Sequence, residues 1–165
     1  MHNYSTLEIQ LIALLIILFV YLFLKIRAFF KNLGNKSLLK RNRTLKKLKR
    51  LSWDDFELLC MELFREKGWK VLGNEKKGAD GGVDIWMQKT SMMKRRTSAI
   101  VQCKRYDDAM VTIKVIREMY GLMYEYDVDE AYIVTTSRFT KECYKFVEGK
   151  NIELIDGNKL VEMIN

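Results

Sequence analysis

The chain has 165 residues, a formal net charge of +8 and a hydrophobic fraction of 48%, which suits one globular domain with an appendage. Its three cysteines are scattered without a CxxC spacing, and its only histidine is His2. The cysteine pattern indicates neither a disulfide framework nor a zinc site. The position of His2 excludes any histidine-based mechanism in the main domain, which leaves the chemistry of carboxylates, lysines and a metal ion.

The positive charge is concentrated near the N-terminus. Residues 1–50 contain 11 Lys and Arg residues against one acid, Glu8, which gives +10, whereas the remaining residues contain 18 basic and 20 acidic residues, which gives −2. The basic pI of 9.3 is therefore a property of the N-terminal third. The overall charge therefore does not indicate DNA binding by the rest of the chain, which would need a local site for it.

The first predicted element is a membrane-spanning helix. Leu11 to Leu24 is an unbroken run of 14 apolar residues, and Tyr4 to Leu24 would form a helix about 30 Å long, enough to cross a bilayer core. A signal peptide would carry positive charge before the run and small residues after it, and a buried core helix would show a polar face. We therefore predict a transmembrane anchor over residues 1–24, in contact with the lipid bilayer through residues 4–24.

The basic residues that follow the apolar run predict the orientation of the chain in the membrane and define a basic stem next to it. Basic residues that flank a membrane span are expected on its cytoplasmic side. The chain would therefore cross a cell membrane once, with its N-terminus outside and the residues after the span in the cytoplasm. Residues 25–50 hold 11 basic residues and no acid, and their leucines form a patchy helical stripe. This juxtamembrane stem could lie on anionic lipid, at about 1 kcal/mol per basic residue, could contact DNA phosphates, or could be a solvated linker.

Residues 51–165 form the predicted main domain, an α/β domain with helices on both sides of a mixed central sheet. Its first helix begins after a Ser52 N-cap, carries an apolar stripe from Phe56 to Phe64 and ends at Gly68. Periodicity and turn residues predict four helices and five strands in the order α-β-β-β-α-β-α-β-α. The strands are predicted at 69–72, 83–87, 99–104, 131–136 and 152–155, and the later helices at 113–124, 140–149 and 158–164.

Three polar residues on neighbouring strands could form a site. Gln102 and Lys104 are two residues apart, so they share one face of their strand, and Asp84 lies early in the adjoining strand after a glycine-rich turn. A carboxylate and an amide oxygen can hold Mg²⁺ with phosphate, and a lysine can orient water or stabilise developing charge. From the spacing alone, a turn aspartate and an ordinary polar strand face are the more natural interpretation.

A resemblance that runs across the whole domain favours the site. The segments that carry it are LSWDDFE (51–57), GADGGVDI (78–85), VQCKRY (101–106), VIREMYG (115–121), VTTSRFT (134–140) and IELID (152–156). Together and in this order, they resemble the catalytic domain of Mrr-type restriction endonucleases, a branch of the PD-(D/E)xK nuclease fold. The resemblance implies a restriction-endonuclease-like fold and cleavage of DNA with Mg²⁺, or with Mn²⁺ in its place.

The resemblance also implies roles for individual residues. Asp84 would bind the metal, Gln102 would hold the second position of the (D/E)xK motif and bind the metal too, and Lys104 would be the motif's lysine. Glu57, on the first helix, matches an acid that assists in many such nucleases; a surface position on the helix is the alternative. Asp80 matches a frequent acid of the glycine-rich turn, although a turn former is the stronger interpretation.

The sequence departs from the wider fold's pattern at two positions. Val83 stands where a proline usually precedes the metal-binding aspartate, and Gln102 replaces the usual acid. A neutral amide attracts a metal ion less than a carboxylate does, so metal affinity should be lower unless Glu57 or Asp80 contributes.

Basic residues near the site are candidates for contacts with DNA phosphates. Lys94, Arg95 and Arg96 lie in the loop of the predicted hairpin, Arg105 follows the motif, and Arg117 lies among core-spaced apolar residues. A solvated loop and local ion pairing are the alternative interpretations.

The predicted function is that of a membrane-anchored, divalent-metal-dependent DNA endonuclease that hydrolyses phosphodiester bonds and restricts foreign or modified DNA. The alternatives are a catalytically weak or inactive nucleic-acid-binding module on the membrane, and a scaffold in which the basic stem binds the partner. The expected partners are DNA, the bilayer, and anionic lipid or DNA at the stem. Cleavage of both strands would need a homodimer or two sequential nicks.

Overall fold

The computed structural model describes the backbone of residues 6–73, 82–91 and 96–165, and the side chains of these residues except 6–9, 28–36 and 73. The chain divides into two compact units, Met1–Ser37 and Leu38–Asn165. The helices and strands in chain order are α1 (Thr6–Arg41), α2 (Leu45–Lys49), α3 (Trp53–Glu66), β1 (Lys70–Gly73), β2 (Ile85–Thr90), β3 (Arg96–Lys104), α4 (Ile113–Glu125), β4 (Glu130–Thr135), α5 (Lys141–Val147), β5 (Ile152–Ile155) and α6 (Gly157–Ile164).

The first unit is helical and apolar. From Gln10 to Arg27, α1 has a mean hydropathy of 2.2, and none of these side chains is buried. Within the described part of the chain, this is the one helix that is long and apolar enough to cross a membrane, judged by length and composition. From Thr6 onward the predicted anchor is therefore helical and of sufficient length, while its insertion in a membrane stays a prediction.

The second unit is built on a five-stranded mixed sheet with the strand order β1-β2-β3-β4-β5. The pairs β1–β2 and β2–β3 are antiparallel, and the pairs β3–β4 and β4–β5 are parallel. Strand β3 is therefore central, and Ile85 faces Val101 where β2 and β3 pair. This arrangement confirms the predicted mixed sheet with flanking helices.

Each face of the sheet has its own hydrophobic core. On one face, Val101 and Cys103 of β3 pack in a cluster with α3 and α6. On the other face, Ile100 packs in a cluster with α4 and α5. Because side chains alternate along a strand, residues 100, 102 and 104 belong to the α4 face of β3.

Local sequence signals account well for α3. The Ser52 hydroxyl accepts a hydrogen bond from the Asp55 backbone N–H at 3.1 Å, which confirms the predicted N-cap. The predicted apolar stripe is buried: Phe56, Leu59, Cys60, Leu63 and Phe64 are each at most 1% exposed. The predicted helix therefore forms where its cap and its periodicity place it.

Strand boundaries differ from the prediction around the candidate site. Strand β2 begins at Ile85 instead of residue 83, and β3 begins at Arg96 instead of residue 99. The Cys103 N–H donates to the side chain of Asp84, so this amide does not join a backbone ladder with residue 84. The short β2 thus leaves Asp84 just outside the strand, with its carboxylate bound to β3.

Part of the basic stem belongs to the main unit. The compact unit begins at Leu38, before the start expected at residue 51, because Leu39 is 3% exposed and Leu48 is fully buried in the α3-side core. The short helix α2 is tied to the domain by two polar contacts, since Arg105 donates to the Lys49 carbonyl at 2.7 Å and Lys49 pairs with Asp108 at 3.2 Å. Residues 38–50 thus contribute Leu39 and Leu48 to the core of the main unit.

Gly157, at the start of α6, allows the close contact between α2 and the sheet. A Cβ at this position would lie 2.6 Å from Leu45 Cδ1 and 2.7 Å from the Thr136 carbonyl oxygen. We expect Gly157→Ala to lower the free energy of unfolding by about 1–3 kcal/mol, since backbone must shift to admit the methyl group. The measurement is denaturant unfolding of the full chain in detergent.

The control for this variant is another glycine-to-alanine change. Gly121 lies inside α4 with nothing within 4 Å of an added Cβ. Gly121→Ala should raise stability by about 1 kcal/mol, the difference in helix propensity. Equal effects of the two substitutions would contradict the packing described at Gly157.

Candidate active site

Asp84 is fixed against the end of β3 by two hydrogen bonds. Its backbone N–H donates to the Val101 carbonyl at 2.9 Å, and its carboxylate oxygen Oδ2 accepts from the Cys103 N–H at 2.6 Å. Cys103 lies between Gln102 and Lys104 in the chain. The Asp84 carboxylate therefore lies against the backbone of the segment that carries the other two predicted site residues.

The surroundings of Asp84 favour its protonated form. Burial raises the pKa of this carboxyl above its ordinary value, and this effect exceeds the lowering by the Cys103 N–H and by the Lys104 ammonium. The influence of Lys104 indicates that its charge acts on the Asp84 carboxylate. A partly buried carboxyl with a raised pKa beside a cation is typical of a functional site, because a bound cation can restore the ionised form.

Gln102 supplies a buried acceptor without a partner. The residue is 4% exposed, and its side-chain oxygen Oε1 accepts no hydrogen bond from any residue that the structure describes. An unsatisfied buried acceptor costs about 1–3 kcal/mol, so such atoms are rare and need a physical reason. Coordination of a metal ion would supply that reason for an amide oxygen.

Lys104 completes the group at the end of β3. It is half-buried and lies two residues after Gln102, on the same face of the strand. Its carbonyl accepts a hydrogen bond from the Thr135 hydroxyl of β4 at 2.7 Å, which fixes the end of the strand. The structure thus brings Asp84, Gln102 and Lys104 together at one end of β3.

The fourth predicted site residue, Glu57, lies on α3. The α3 helix packs against the face of β3 that carries Val101 and Cys103. A hydrogen bond with Cys60 and burial raise the pKa of the Cys103 thiol well above its ordinary value, and the charges of Asp84 and Glu57 raise it further. Both carboxylates therefore act on the same buried thiol, and a role for Glu57 in metal binding stays a prediction.

The donor set fits Mg²⁺ better than a metal that needs an all-protein cage. In residues 6–73, 82–91 and 96–165, no three His, Cys, Asp or Glu side chains are grouped so that they could hold a metal ion. Mg²⁺ binds through one or two carboxylates and keeps several waters, so Asp84 with the unpartnered Gln102 oxygen is an adequate set. Asp80, the other candidate acid, lies outside the described residues.

The described members of the predicted DNA-contacting set differ in their positions and contacts. Lys94 and Arg95 lie outside the described residues, and Arg96 is at the far end of β3, roughly 26 Å from Lys104 along an extended strand. Arg105 binds the Lys49 carbonyl and Asp107, and Arg117 lies 5.9 Å from the centre of the Phe146 ring. Their contacts with DNA stay predictions, but Arg105 and Arg117 also have structural contacts.

Sequence reasoning missed Glu118 on α4. A Cβ on Gly82 would lie 3.0 Å from Glu118 Oε1 and 3.7 Å from Gln102 Nε2, so the Glu118 carboxylate and the Gln102 amide have a common neighbour. Helical periodicity gives no signal for this residue, because it places Glu118 on the solvent-facing side of an amphipathic helix, where the structure also has it exposed.

Comparisons with known proteins agree with the observed fold. The model of the restriction endonuclease family with an Mrr-type catalytic domain matches residues 48–164. No curated protein matches the chain. Among solved structures, the DNA modification-dependent restriction endonuclease AspBHI is similar with a TM-score of 0.60 and 17% identity, over 79% of this chain and 34% of that chain.

Two further solved structures are similar to part of this chain. The protein of unknown function AF1548 gives a TM-score of 0.50 and 15% identity, over 62% of this chain and 61% of its own. The MspJI restriction endonuclease, in complex with a 27-mer oligonucleotide, gives a TM-score of 0.45 and 20% identity, over 66% of this chain and 26% of its own. This chain spans about a third of the AspBHI chain, so the likeness concerns the fold of one domain.

The family match covers most of the second unit, including every described residue of the candidate site. The mixed sheet and its flanking helices are those of the restriction endonuclease fold. The chain belongs to the restriction endonuclease family with an Mrr-type catalytic domain.

Proposed function

We propose that the protein is a membrane-anchored endonuclease that hydrolyses phosphodiester bonds of DNA with Mg²⁺ bound by Asp84 and Gln102. The observation that carries the proposal is the buried Gln102 Oε1, which has no hydrogen-bond partner among the described residues and lies on the strand whose Cys103 N–H binds the Asp84 carboxylate. Family membership supports the reaction type. Mn²⁺, which suits the same oxygen ligands, should replace Mg²⁺.

The chain's own residues have separate tasks in this proposal. The Asp84 carboxylate, once ionised, and the Gln102 oxygen would hold the cation at the end of β3. A divalent cation there makes bound water more acidic and neutralises charge on the phosphate oxygens. The Lys104 ammonium orients the attacking water or stabilises the charge that develops as the P–O bond to the leaving oxygen breaks.

The biological substrate is proposed to be foreign or modified DNA. The family description as restriction endonucleases supports this, and AspBHI is described as dependent on DNA modification. The anchor would hold the domain at the cytoplasmic side of the membrane, because basic residues follow the apolar helix on its C-terminal side. Incoming DNA would then meet the nuclease close to its point of entry.

The remaining stem residues support binding to an anionic surface. Residues 25–37 of the stem lie in the first unit, in the part of α1 that follows the apolar run ending at Leu24, and contain only basic charges. Each basic residue near anionic lipid contributes about 1 kcal/mol, and DNA phosphates offer the same kind of charge. If the enzyme cleaves both strands in one encounter, two copies of the chain must act together, as a homodimer on the membrane would allow.

Cleavage of plasmid DNA by the full chain in detergent tests this function. Nicking or linearisation is expected with Mg²⁺ or Mn²⁺ and not with excess chelator. Lys104→Ala should lower the rate at least about a hundredfold, which is typical for loss of a group that stabilises transition-state charge. Lys114→Ala, at an exposed position on α4, is the control and should cleave at the rate of the unmodified protein.

Two outcomes would count against the proposal. Equal cleavage by the Lys104→Ala variant and the unmodified protein would show that the site is wrong or that the nuclease is a contaminant. Tight DNA binding with no cleavage in either metal would instead support the non-catalytic binding module.

A further inference from the structure

The side-chain amide of Gln102 has two chemically different ends in different surroundings. Its nitrogen Nε2 is a donor, and its oxygen Oε1 is an acceptor. The nitrogen lies on the side of Gly82, where Glu118 Oε1 also lies, while the buried oxygen has no partner among the described residues. Only the oxygen end can bind a metal ion, so the orientation of the amide decides whether Gln102 is a ligand.

A carboxylate beside the nitrogen end favours this orientation. The amide nitrogen carries positive partial charge and the oxygen carries negative partial charge, so a negative group on the Gly82 side attracts the nitrogen and repels the oxygen. Gly82 brings the two groups near each other because it has no side chain and adopts a φ of +58°, a conformation that other residues rarely adopt. A Cβ at this position would lie 3.0 Å from Glu118 Oε1 and 3.7 Å from Gln102 Nε2.

We propose that Glu118 is a positioning residue that holds the Gln102 amide with its oxygen directed at the metal position. This inference rests on the proposed function. It explains how a neutral glutamine can replace an acid at this position of the motif, since an amide, unlike a carboxylate, must be oriented to bind a cation. Glu118 is exposed and forms no ion pair with the described residues, so fold stability does not depend on it.

Binding of Mn²⁺ to the full chain in detergent, followed by the electron paramagnetic resonance signal of free Mn²⁺, tests the inference. Glu118→Met removes the carboxylate at similar length and should weaken Mn²⁺ binding about ten- to a hundredfold, as loss of groups that orient metal ligands does. Glu118→Gln keeps an acceptor oxygen and should weaken Mn²⁺ binding less than Glu118→Met does. Glu125→Met, on an exposed turn of the same helix, should leave it unchanged. The melting temperature without metal should stay the same in all variants.

The Gln102→Glu variant, used as a second starting protein, distinguishes a positioning role of Glu118 from direct binding of the metal by Glu118. In Gln102→Glu, residue 102 has two equivalent oxygens and no nitrogen to orient, so adding Glu118→Met should leave Mn²⁺ binding unchanged or tighten it by removing a like charge. If Glu118→Met weakens Mn²⁺ binding as much in the Gln102→Glu variant as in the protein with Gln102, Glu118 is a metal ligand. That result would overturn its positioning role.

The two proposals fail in different ways. Unmodified protein that binds Mn²⁺ at the Asp84 site, together with a Glu118→Met variant that binds it equally well, would overturn the role of Glu118 alone. Unmodified protein that binds no Mn²⁺ would overturn the proposed function and this inference together. A melting temperature that falls in Glu118→Met with unchanged binding would show that Glu118 has only a structural role.

Discussion

Asp84→Asn should abolish cleavage and at the same time make the metal-free protein more stable at neutral pH. Burial raises the pKa of Asp84, so the ionised carboxylate opposes folding. Asparagine is neutral at every pH, and its side-chain oxygen can still accept the hydrogen bond from the Cys103 N–H. The loss of the negative charge removes the main attraction for the cation, and the cleavage rate should fall at least about a hundredfold.

The pH dependence of this gain in stability has a defined sign. An acid whose pKa is higher in the folded state holds its proton more firmly when folded, so stability falls as the pH rises from the ordinary value of 3.8 through the raised folded value. The variant should therefore exceed the unmodified protein in melting temperature at pH 7. The difference should vanish below pH 3.8, where the carboxyl is protonated in both states.

Thermal unfolding of the full chain in detergent, with and without Mg²⁺, measures both effects. Mg²⁺ should raise the melting temperature of the unmodified protein and not that of Asp84→Asn, since only a protein that binds the ion is stabilised by it. Asp54→Asn, at an exposed position in the first turn of α3, is the control; it should retain cleavage and gain no stability. A variant that melts below the unmodified protein at pH 7 would contradict the described surroundings of Asp84.

Leu48→Ala should destabilise the domain although it lies before the segment predicted from the sequence. The Leu48 side chain is fully buried in the core on the α3 face of the sheet. Removal of a buried leucine side chain leaves a cavity and costs about 2–5 kcal/mol. Denaturant unfolding should show this loss, and cleavage measured well below the transition should remain.

Lys46→Ala is the matched control for Leu48→Ala. Lys46 is exposed on the same short helix, so its replacement should change the free energy of unfolding by no more than about 0.5 kcal/mol. If residues 38–50 were a solvated linker or lay flat on lipid, both substitutions would have the same small effect. Equal stability of the two variants would therefore contradict the packing of α2 against the domain.

Features of the fold that depend on nearby residues were predictable from the sequence, and features that depend on contacts between distant segments were not. The α3 helix was predictable, because its Ser52 cap and its apolar stripe both lie within one short segment of the sequence. The antiparallel pairing of β2, which begins directly after Asp84, with β3, which carries Gln102, was predictable as a hairpin with a long connection. The burial of Leu48 was not, because it packs in the same core cluster as Leu160, near the other end of the chain.

The candidate site was predictable only in part for the same reason. Alternation places Gln102 and Lys104 on one face, and the structure has Asp84 bound beside them. Within the described part of the chain, the Gln102 oxygen has no hydrogen-bond partner and Glu118 lies near Gly82. Both features depend on the packing of α4 over Gly82, which no local pattern encodes. The resemblance that identified the domain contains Glu118 within its VIREMYG segment, but the segment alone assigns it no role.

The position of a bound cation tests the central claim most directly. Crystals of the full chain grown in detergent and soaked with Mn²⁺ would reveal the ion by its anomalous scattering. We expect one peak within bonding distance, about 2.1 Å for Mg²⁺-type coordination, of an Asp84 carboxylate oxygen and of Gln102 Oε1. A peak bound only by other residues, or no peak at Asp84 under conditions in which the protein cleaves DNA, would contradict it.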